Sequence, residues 1–210
     1  MDCIKQTLAG AGGVVACLAG CACSIAPIVL IVYEGIYAFN NPDKEAWLGI
    51  LPDGKNQLFA DQEAGNLEKA TELVDIHARF ITWFLWGFIT ALMPIALVLL
   101  FLAATVINPN LGTCVSAMNA CAFGCSSLAW WITGIVWRFR SDGAFASGDI
   151  VPKGKTLEEW TDIVSDGDSL YQYKSGNFMA IYYFICFGLV ATSCGCTIIG
   201  AIYHCVAGGK

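Results

Sequence analysis

Charged side chains are scarce in this chain. Asp, Glu, Lys and Arg together make up 13% of its 210 residues, whereas about a quarter is usual in soluble globular proteins. Hydrophobic residues make up 57%, and they form long uncharged runs that follow neither a strand period nor a single helical stripe. This distribution excludes an ordinary soluble domain and indicates a membrane protein. The formal net charge of −6 excludes a nucleic-acid partner, because phosphate binding needs a basic surface.

Groups that carry catalysis are also few. The chain has two histidines, His77 and His204, and it has no nucleophile motif, phosphate-binding loop or HExxH zinc motif. Asp162, Asp166 and Asp168 lack the glutamate that an EF-hand calcium loop needs at its twelfth position. We therefore expect that the protein is not an enzyme and that it binds no metal and no cofactor.

The uncharged runs predict four membrane-spanning helices, at about residues 8–33, 80–107, 111–137 and 178–206. At 1.5 Å per residue, each is long enough for a hydrocarbon core of roughly 30 Å. Between them lie two polar, acidic segments, residues 40–79 and 138–177. The predicted fold class is all-α: a four-transmembrane-helix bundle that forms a single integral membrane domain, residues 1–210. Both termini then lie on one side, and both long polar loops, partly helical, lie on the other.

Local signals predict how the loops are built. Pro-Asp-Gly at residues 52–54 marks a turn. Apolar residues at i, i+3 and i+4 spacing predict a helix over residues 61–79 that continues into the second span. Thr156 as N-cap, with Glu159 three residues later, predicts a short helix that ends near residue 165. We expect the two loops to form a small ordered cap where copies of the protein meet.

Within the spans, prolines and one amide stand out. Pro27 and Pro94 cannot bond to the carbonyl four residues earlier, so a kink is predicted at each. The link Asn-Pro-Asn at residues 108–110 is so short that the second and third spans must be antiparallel neighbours. Asn119 is the most polar group inside a span, and we expect it to form an interhelical hydrogen bond of about 1 kcal/mol.

Small residues recur at every fourth position along three of the predicted spans, a spacing that lets two helix backbones approach closely. The predicted helix-packing residues are Gly12, Ala16, Gly20, Ala117, Cys121, Cys125, Gly188, Thr192, Cys196 and Gly200. The seven tryptophans all lie in the loops or in the loop-side half of the spans. A bundle that is thin at one end and bulky at the other would be a wedge suited to curved membranes. An ordinary bundle in an asymmetric bilayer explains this distribution equally well.

The chain has eleven cysteines, an odd number, and none of them lies in the loops. Their plainest role is as small packing residues. Cys3, Cys114 and Cys205 lie nearest the terminal side and are candidates for S-palmitoylation, which requires cytosolic access. Lys and Arg are concentrated on the loop side, which argues for cytosolic loops. We favour cytosolic termini, with extracellular or lumenal loops, as in most four-pass proteins with two long loops on one side.

The layout resembles that of MARVEL-like four-pass membrane proteins: short termini, a long first loop, a tight middle turn and a second long loop. The run WWITGIVW at residues 130–137, followed by Ser-Asp-Gly, is similar to the third span of small tetraspan proteins. This resemblance implies membrane organisation, vesicle or tubule shaping, and lateral self-association. A loop disulfide, frequent in MARVEL-like and claudin-like proteins, is not possible in these cysteine-free loops, so the resemblance does not extend to a cell-junction role.

These observations predict a structural or scaffolding membrane protein that self-associates through its loops and spans and organises or curves a membrane. Its expected partners are membrane lipid and further copies of itself, and the sequence identifies no other protein partner. Two alternatives remain. One is an oligomeric pore or channel subunit, and the other is an accessory subunit of a larger membrane complex. Ionisable residues within the spans normally mark ion pathways, and the predicted spans contain none away from their ends.

Overall fold

The computed structural model describes residues 25, 27–60, 62, 65 and 68–207, with only the backbone helix for residues 193, 194 and 196–207. This part of the chain is mostly helical and contains one small sheet. In chain order the elements are α1 (Pro27–Phe39), β1 (Trp47–Ile50), β2 (Asn56–Phe59), β3 (Glu72–Asp75), α2 (Ile76–Ile107), α3 (Pro109–Phe139), α4 (Ser141–Ala146), α5 (Leu157–Ser165) and α6 (Tyr173–Ala207). The chain divides into two compact units, Tyr33–Ala180 and the remainder, and each is described by itself.

Three of the described helices are long and apolar enough to cross a membrane. They are α2, α3 and the segment Tyr173–Thr192 of α6, and α1 is a shorter apolar helix. These helices support the prediction of a membrane protein. The predicted first span, residues 8–33, lies mostly outside the described residues, so the four-span bundle stays a prediction.

The all-α prediction is wrong for the first loop, which contains an antiparallel sheet in the order β2-β1-β3. The turn predicted at residues 52–54 is confirmed and joins β1 to β2. There the amide of Gly54 donates to the carbonyl of Leu51 at 2.8 Å. Gly54 has φ +78°, a conformation that residues with a Cβ rarely adopt.

Residues 72–75 form β3, although the sequence predicts a helix over residues 61–79. Val74 pairs with Leu48 of β1, whose side chain is buried. The helix α2 begins only at Ile76, where the carboxylate of Asp75 caps it by accepting from the amide of Ala78 at 2.7 Å. Apolar spacing over so few residues fits both helix and strand, and pairing with a distant strand decides between them. Most of residues 61–67 lie outside the described residues.

The predicted tight turn between the second and third spans is confirmed. Only Asn108 separates α2 from α3, and its side chain caps α3 by accepting from the amide of Asn110 at 2.9 Å. Asn119 of α3 donates to the carbonyl of Leu97 in α2 at 3.4 Å, which is long for a hydrogen bond. The interhelical bond expected of Asn119 is therefore present, and α2 and α3 are antiparallel neighbours.

Toward the loops, α2 and α3 are joined by aromatic rings. Trp83 and Trp130 stack with ring centroids 4.9 Å apart, and the indole of Trp130 donates to the carbonyl of Trp83 at 2.9 Å. Both residues are buried. Gly87 lies against the Trp130 ring, where a Cβ would come within 2.6 Å of a ring carbon. These two tryptophans therefore form part of a packed interior and not of a lipid-facing aromatic belt.

Candidate functional site

The described residues of the two loops, 40–60, 68–79 and 138–177, fold into one ordered structure, which we call the cap. Asp43 of the first loop joins it to α6. Its carboxylate accepts from the amides of Lys174 and Ser175 at 3.2 and 2.7 Å. These are orphan donors of the first helical turn, and a carboxylate there also interacts favourably with the helix dipole. The first loop thereby caps a helix that begins more than a hundred residues later.

Gln172 is buried and joins three parts of the cap. Its side-chain nitrogen donates to the carbonyl of Lys44 at 2.7 Å, and its backbone amide donates to the carbonyl of Ala146 at 2.7 Å. Its side-chain oxygen lies 2.8 Å from Nδ1 of His77. Because that oxygen can only accept, Nδ1 of His77 carries the proton. The histidine thus has a structural role at the start of α2.

Arg138 joins the end of α3 to the second loop and to α6. Its side chain is 3% exposed. It donates to both carboxylate oxygens of Asp149, at 2.6 and 3.0 Å, and to the carbonyl of Gly176 at 2.7 Å. Two parallel bonds to one carboxylate make a strong and directional contact. Arg138 therefore fixes the second loop at the end of a membrane-length helix.

The predicted short helix in the second loop is confirmed as α5. Thr156 and Glu159 form a capping box in which each side chain accepts from the other residue's amide, at 3.3 and 3.1 Å. The bond from the Thr156 amide lowers the pKa of Glu159, since it favours the charged carboxylate. Trp160 is buried and donates to the carbonyl of Gly148 at 2.6 Å. The capped helix and its tryptophan make the second loop a folded structure.

A trough of about 520 Å³ opens on the cap beside β2. Residues 56–58 of β2 line one wall of the trough. Side chains alternate between the two faces of a strand, so three consecutive residues can line the same wall only where the edge of the strand faces it. Phe145, Ile163 and Tyr171 line other parts of the trough. Asp166 and Asp168 lie there too, and the side chain of Asp168 is almost fully exposed. The trough therefore combines a strand edge, apolar side chains and negative charge.

Residues 150–157 form a turn-tipped loop that we call the basic loop. It contains two lysines and no acidic residue. The amide of Lys155 donates to the carbonyl of Pro152 at 3.3 Å to make the turn. Ile150 and Leu157 are 49% and 71% exposed, and the ammonium group of Lys155 lies 6.0 Å from the centre of the Trp160 ring. In an acidic cap, this loop presents positive charge and aliphatic surface.

A second, apolar groove of about 350 Å³ lies between α2 and α3. Pro94 and Leu97 of α2 line it together with Ser116, Asn119 and Phe123 of α3. Its polar groups are few, and Asn119 already bonds to the carbonyl of Leu97. The groove lies where the two helices pack, and its lining is mainly apolar.

Other residues predicted from the sequence are placed as follows. Ala117, Cys121 and Cys125 are exposed, and at about 100° per residue they lie on the side of α3 opposite the one that contacts α2. In the other unit, Gly188 and Thr192 are exposed, and the hydroxyl of Thr192 donates back to the carbonyl of Gly188 at 2.8 Å. Their role in helix packing stays a prediction. Gly12, Ala16 and Gly20 lie outside the described residues, and for Cys196 and Gly200 only the backbone helix is described.

The predictions of S-acylation and of helix kinks also concern residues that the structure describes only in part. Cys114 is an exposed free thiol, whereas Cys3 and the side chain of Cys205 lie outside the described part. Pro94 is inside α2, and Pro27 lies at the edge of the described residues. Acylation and both kinks stay predictions. Across the described ranges, no group of three or more His, Cys, Asp or Glu could hold a metal ion.

Sequence reasoning missed the residues that join the cap together. Arg138, Gln172 and Asp43 appear in the sequence as ordinary loop or span-end residues. Their partners are distant along the chain, and no local pattern identifies them. The one available signal was the Asn-Pro-Asp run at residues 41–43, which marks a turn but not its partner. No family model, curated protein or solved structure matches this chain.

Proposed function

We propose that this chain is a structural membrane protein that self-associates and organises or curves the membrane in which it lies. The proposal includes four spans, cytosolic termini and a cap on the extracellular or lumenal side. Its partners are membrane lipid and further copies of itself. The resemblance in layout to MARVEL-like four-pass proteins is one support.

The observation that carries the proposal is how the cap uses its buried polar groups. Arg138 and Gln172, which are buried, and Asp43, which is partly buried, direct their polar atoms to loop segments and helix ends within the cap. A small-molecule site usually presents a few polar groups that converge on its ligand. The cap instead resembles a rigid platform, and a rigid platform on a membrane protein suits contact between proteins.

The proposal predicts self-association of the purified chain. We expect the full-length protein in mild detergent to form assemblies larger than a monomer, measured by mass photometry. After reconstitution in liposomes, we expect electron cryo-microscopy to show ordered patches or curved, tubular membrane. The matched control is empty liposomes of the same lipid at the same detergent dilution.

Two results would count against the proposal. A chain that stays monomeric at all concentrations and leaves liposomes smooth contradicts the scaffold. Single-channel conductance in a planar bilayer would favour the pore alternative instead.

A further inference from the structure

We propose that the basic loop of one copy docks in the trough of a second copy, so that copies join head to tail through their caps. This inference rests on the proposed function and names the surface through which the protein self-associates. Four properties of the described cap support it: charge, apolar surface, strand edge and the positions of the two surfaces.

The two surfaces carry opposite charge. The basic loop presents Lys153 and Lys155, while Asp166 and Asp168 lie at the trough. Lys153 and Asp166 form no ion pair among the described residues, whereas Asp168 is already paired with Lys44 at 2.6 Å. Lys153 and Asp166 are therefore available to pair with each other across two copies. Such complementarity selects partners and orients them.

The two surfaces also match in apolar character. Ile150 and Leu157 project from the loop as exposed aliphatic side chains. The trough offers Phe145, Ile163 and Tyr171. Contact between these groups removes apolar surface from water on both copies, which favours association.

The edge of β2 supplies backbone groups for the incoming loop. The amide of Leu51 donates to the carbonyl of Lys55 at 2.8 Å. From this pair onward, hydrogen-bonded and non-hydrogen-bonded residue pairs alternate along β1 and β2. In an antiparallel pair this alternation turns the backbone groups of Asn56 and Leu58 away from β1. Strand β2 carries no charged side chain to protect that edge, whereas β3, at the other edge of the sheet, carries Glu72 and Asp75. Val151 precedes Pro152, and a residue before proline favours extended backbone, so this arm of the basic loop can pair with the unprotected edge.

The positions of the two surfaces make the contact intermolecular. The basic loop leads into the first residue of α5, and Ile163 and Asp166 lie at the other end of this helix. A helix of nine residues is roughly 13 Å long. When only one loop and one trough are engaged between two copies, each copy keeps its other surface free for a further copy. Such a contact continues into a ring or an open filament.

Charge reversal tests the contact. We expect Lys153→Glu and Asp166→Lys each to weaken self-association of the full-length protein in detergent by about tenfold, because like charges then face each other. The double variant restores opposite charges and is expected to recover most of the wild-type association. Mass photometry across a concentration series measures all three.

Matched controls carry the same charge changes elsewhere on the cap. Lys69→Glu and Asp162→Lys replace exposed residues that belong to neither the basic loop nor the lining of the trough, and they are expected to leave association unchanged. If both test variants associate like wild type, the docking proposal is overturned while the scaffold proposal stands. If the wild type itself is monomeric, the proposed function fails first. If Lys153→Glu weakens only binding to vesicles rich in phosphatidylserine, the loop binds lipid headgroups and the docking proposal is wrong.

Cysteine cross-linking tests the head-to-tail geometry. The loops contain no native cysteine, so Lys153→Cys and Asp166→Cys each introduce one thiol on the cap. Mixing the two variants under mild oxidation is expected to give linked dimers beyond those of either variant alone and of the wild type. Dimers that form equally well from each variant by itself would show a symmetric contact and overturn the proposal.

Discussion

At the scale of single residues, Arg138 has the largest expected effect on the cap. Arg138→Met leaves the buried carbonyl of Gly176 without this donor and removes both bonds from Asp149. Asp149 is 42% exposed and can be solvated when Arg138 is removed, so the main cost is the buried carbonyl of Gly176, and we expect the cap to lose about 1–3 kcal/mol of stability. Thermal unfolding in detergent measures this, and faster hydrogen exchange at the amides of residues 172–176 locates it.

Arg140→Met is the matched control, because Arg140 lies two residues further on and is 68% exposed. Its guanidinium is 3.4 Å from Asp142, which keeps its pairing with Arg79 when Arg140 is replaced, so the solvated Arg140 is expected to contribute about 1 kcal/mol or less. Equal destabilisation by the two variants would show that burial of Arg138 is not what matters. Arg138→Lys is expected to be intermediate, since lysine keeps the charge but loses the bidentate geometry.

At the scale of elements, the contact between α2 and α3 depends on Gly87. A Cβ at this position would overlap the Trp130 ring, and the ring is held by stacking on Trp83 and by its indole hydrogen bond. Gly87→Ala is therefore expected to destabilise the helix pair by about 1–3 kcal/mol, the usual cost of overpacking. The change in tryptophan fluorescence on unfolding in detergent measures it.

Gly124→Ala is the control on the same helix pair. A Cβ at Gly124 meets nothing within 4 Å, and alanine has the better helix propensity. We expect stability equal to the wild type or slightly higher. A loss as large as that of Gly87→Ala would show that the Trp130 contact is not the cause.

Elements with local signals could be predicted from the sequence, and elements that depend on distant partners could not. The capping box of Thr156 and Glu159 and the turn at residues 52–54 depend on neighbours within three residues, and both are confirmed. Strand β3 depends on β1, more than twenty residues earlier, so its apolar spacing alone predicts a helix. The trough depends on residues 56–58 meeting residues 163–171, a contact that periodicity cannot reveal.

At the scale of the whole molecule, the cap is acidic and its stability is expected to depend on pH. The hydrogen bond from Lys44 lowers the pKa of Asp168, and the amide of Thr156 lowers the pKa of Glu159. A carboxyl group whose pKa is lowered by folding stabilises the folded state above its unfolded pKa, and this stabilisation disappears as pH falls through the folded pKa. The unfolding temperature of the cap should therefore stay level from about pH 7 to 5 and fall below about pH 4.

The carboxyl groups of Asp168 and Glu159 are fully exposed, so the fall in the unfolding temperature of the cap is expected to be gradual. Lys44→Met removes the cause of the lowered pKa of Asp168. The unfolding temperature of this variant should therefore fall less steeply with decreasing pH, because Asp168 no longer contributes. Unfolding temperatures measured by tryptophan fluorescence at several pH values test this. A steep loss above pH 5 would point to a different titrating group.

The bond from Asp43 to the start of α6 has a consequence for biosynthesis. Asp43 and Lys174 are 131 residues apart, and at translation rates of about 5–20 residues per second the first loop waits on the order of ten seconds for its partner. During that interval the carbonyl of Lys44 also lacks Gln172. The bonds that join the first loop to the start of α6 therefore form only after residue 174 has been synthesised, late in the folding of the cap.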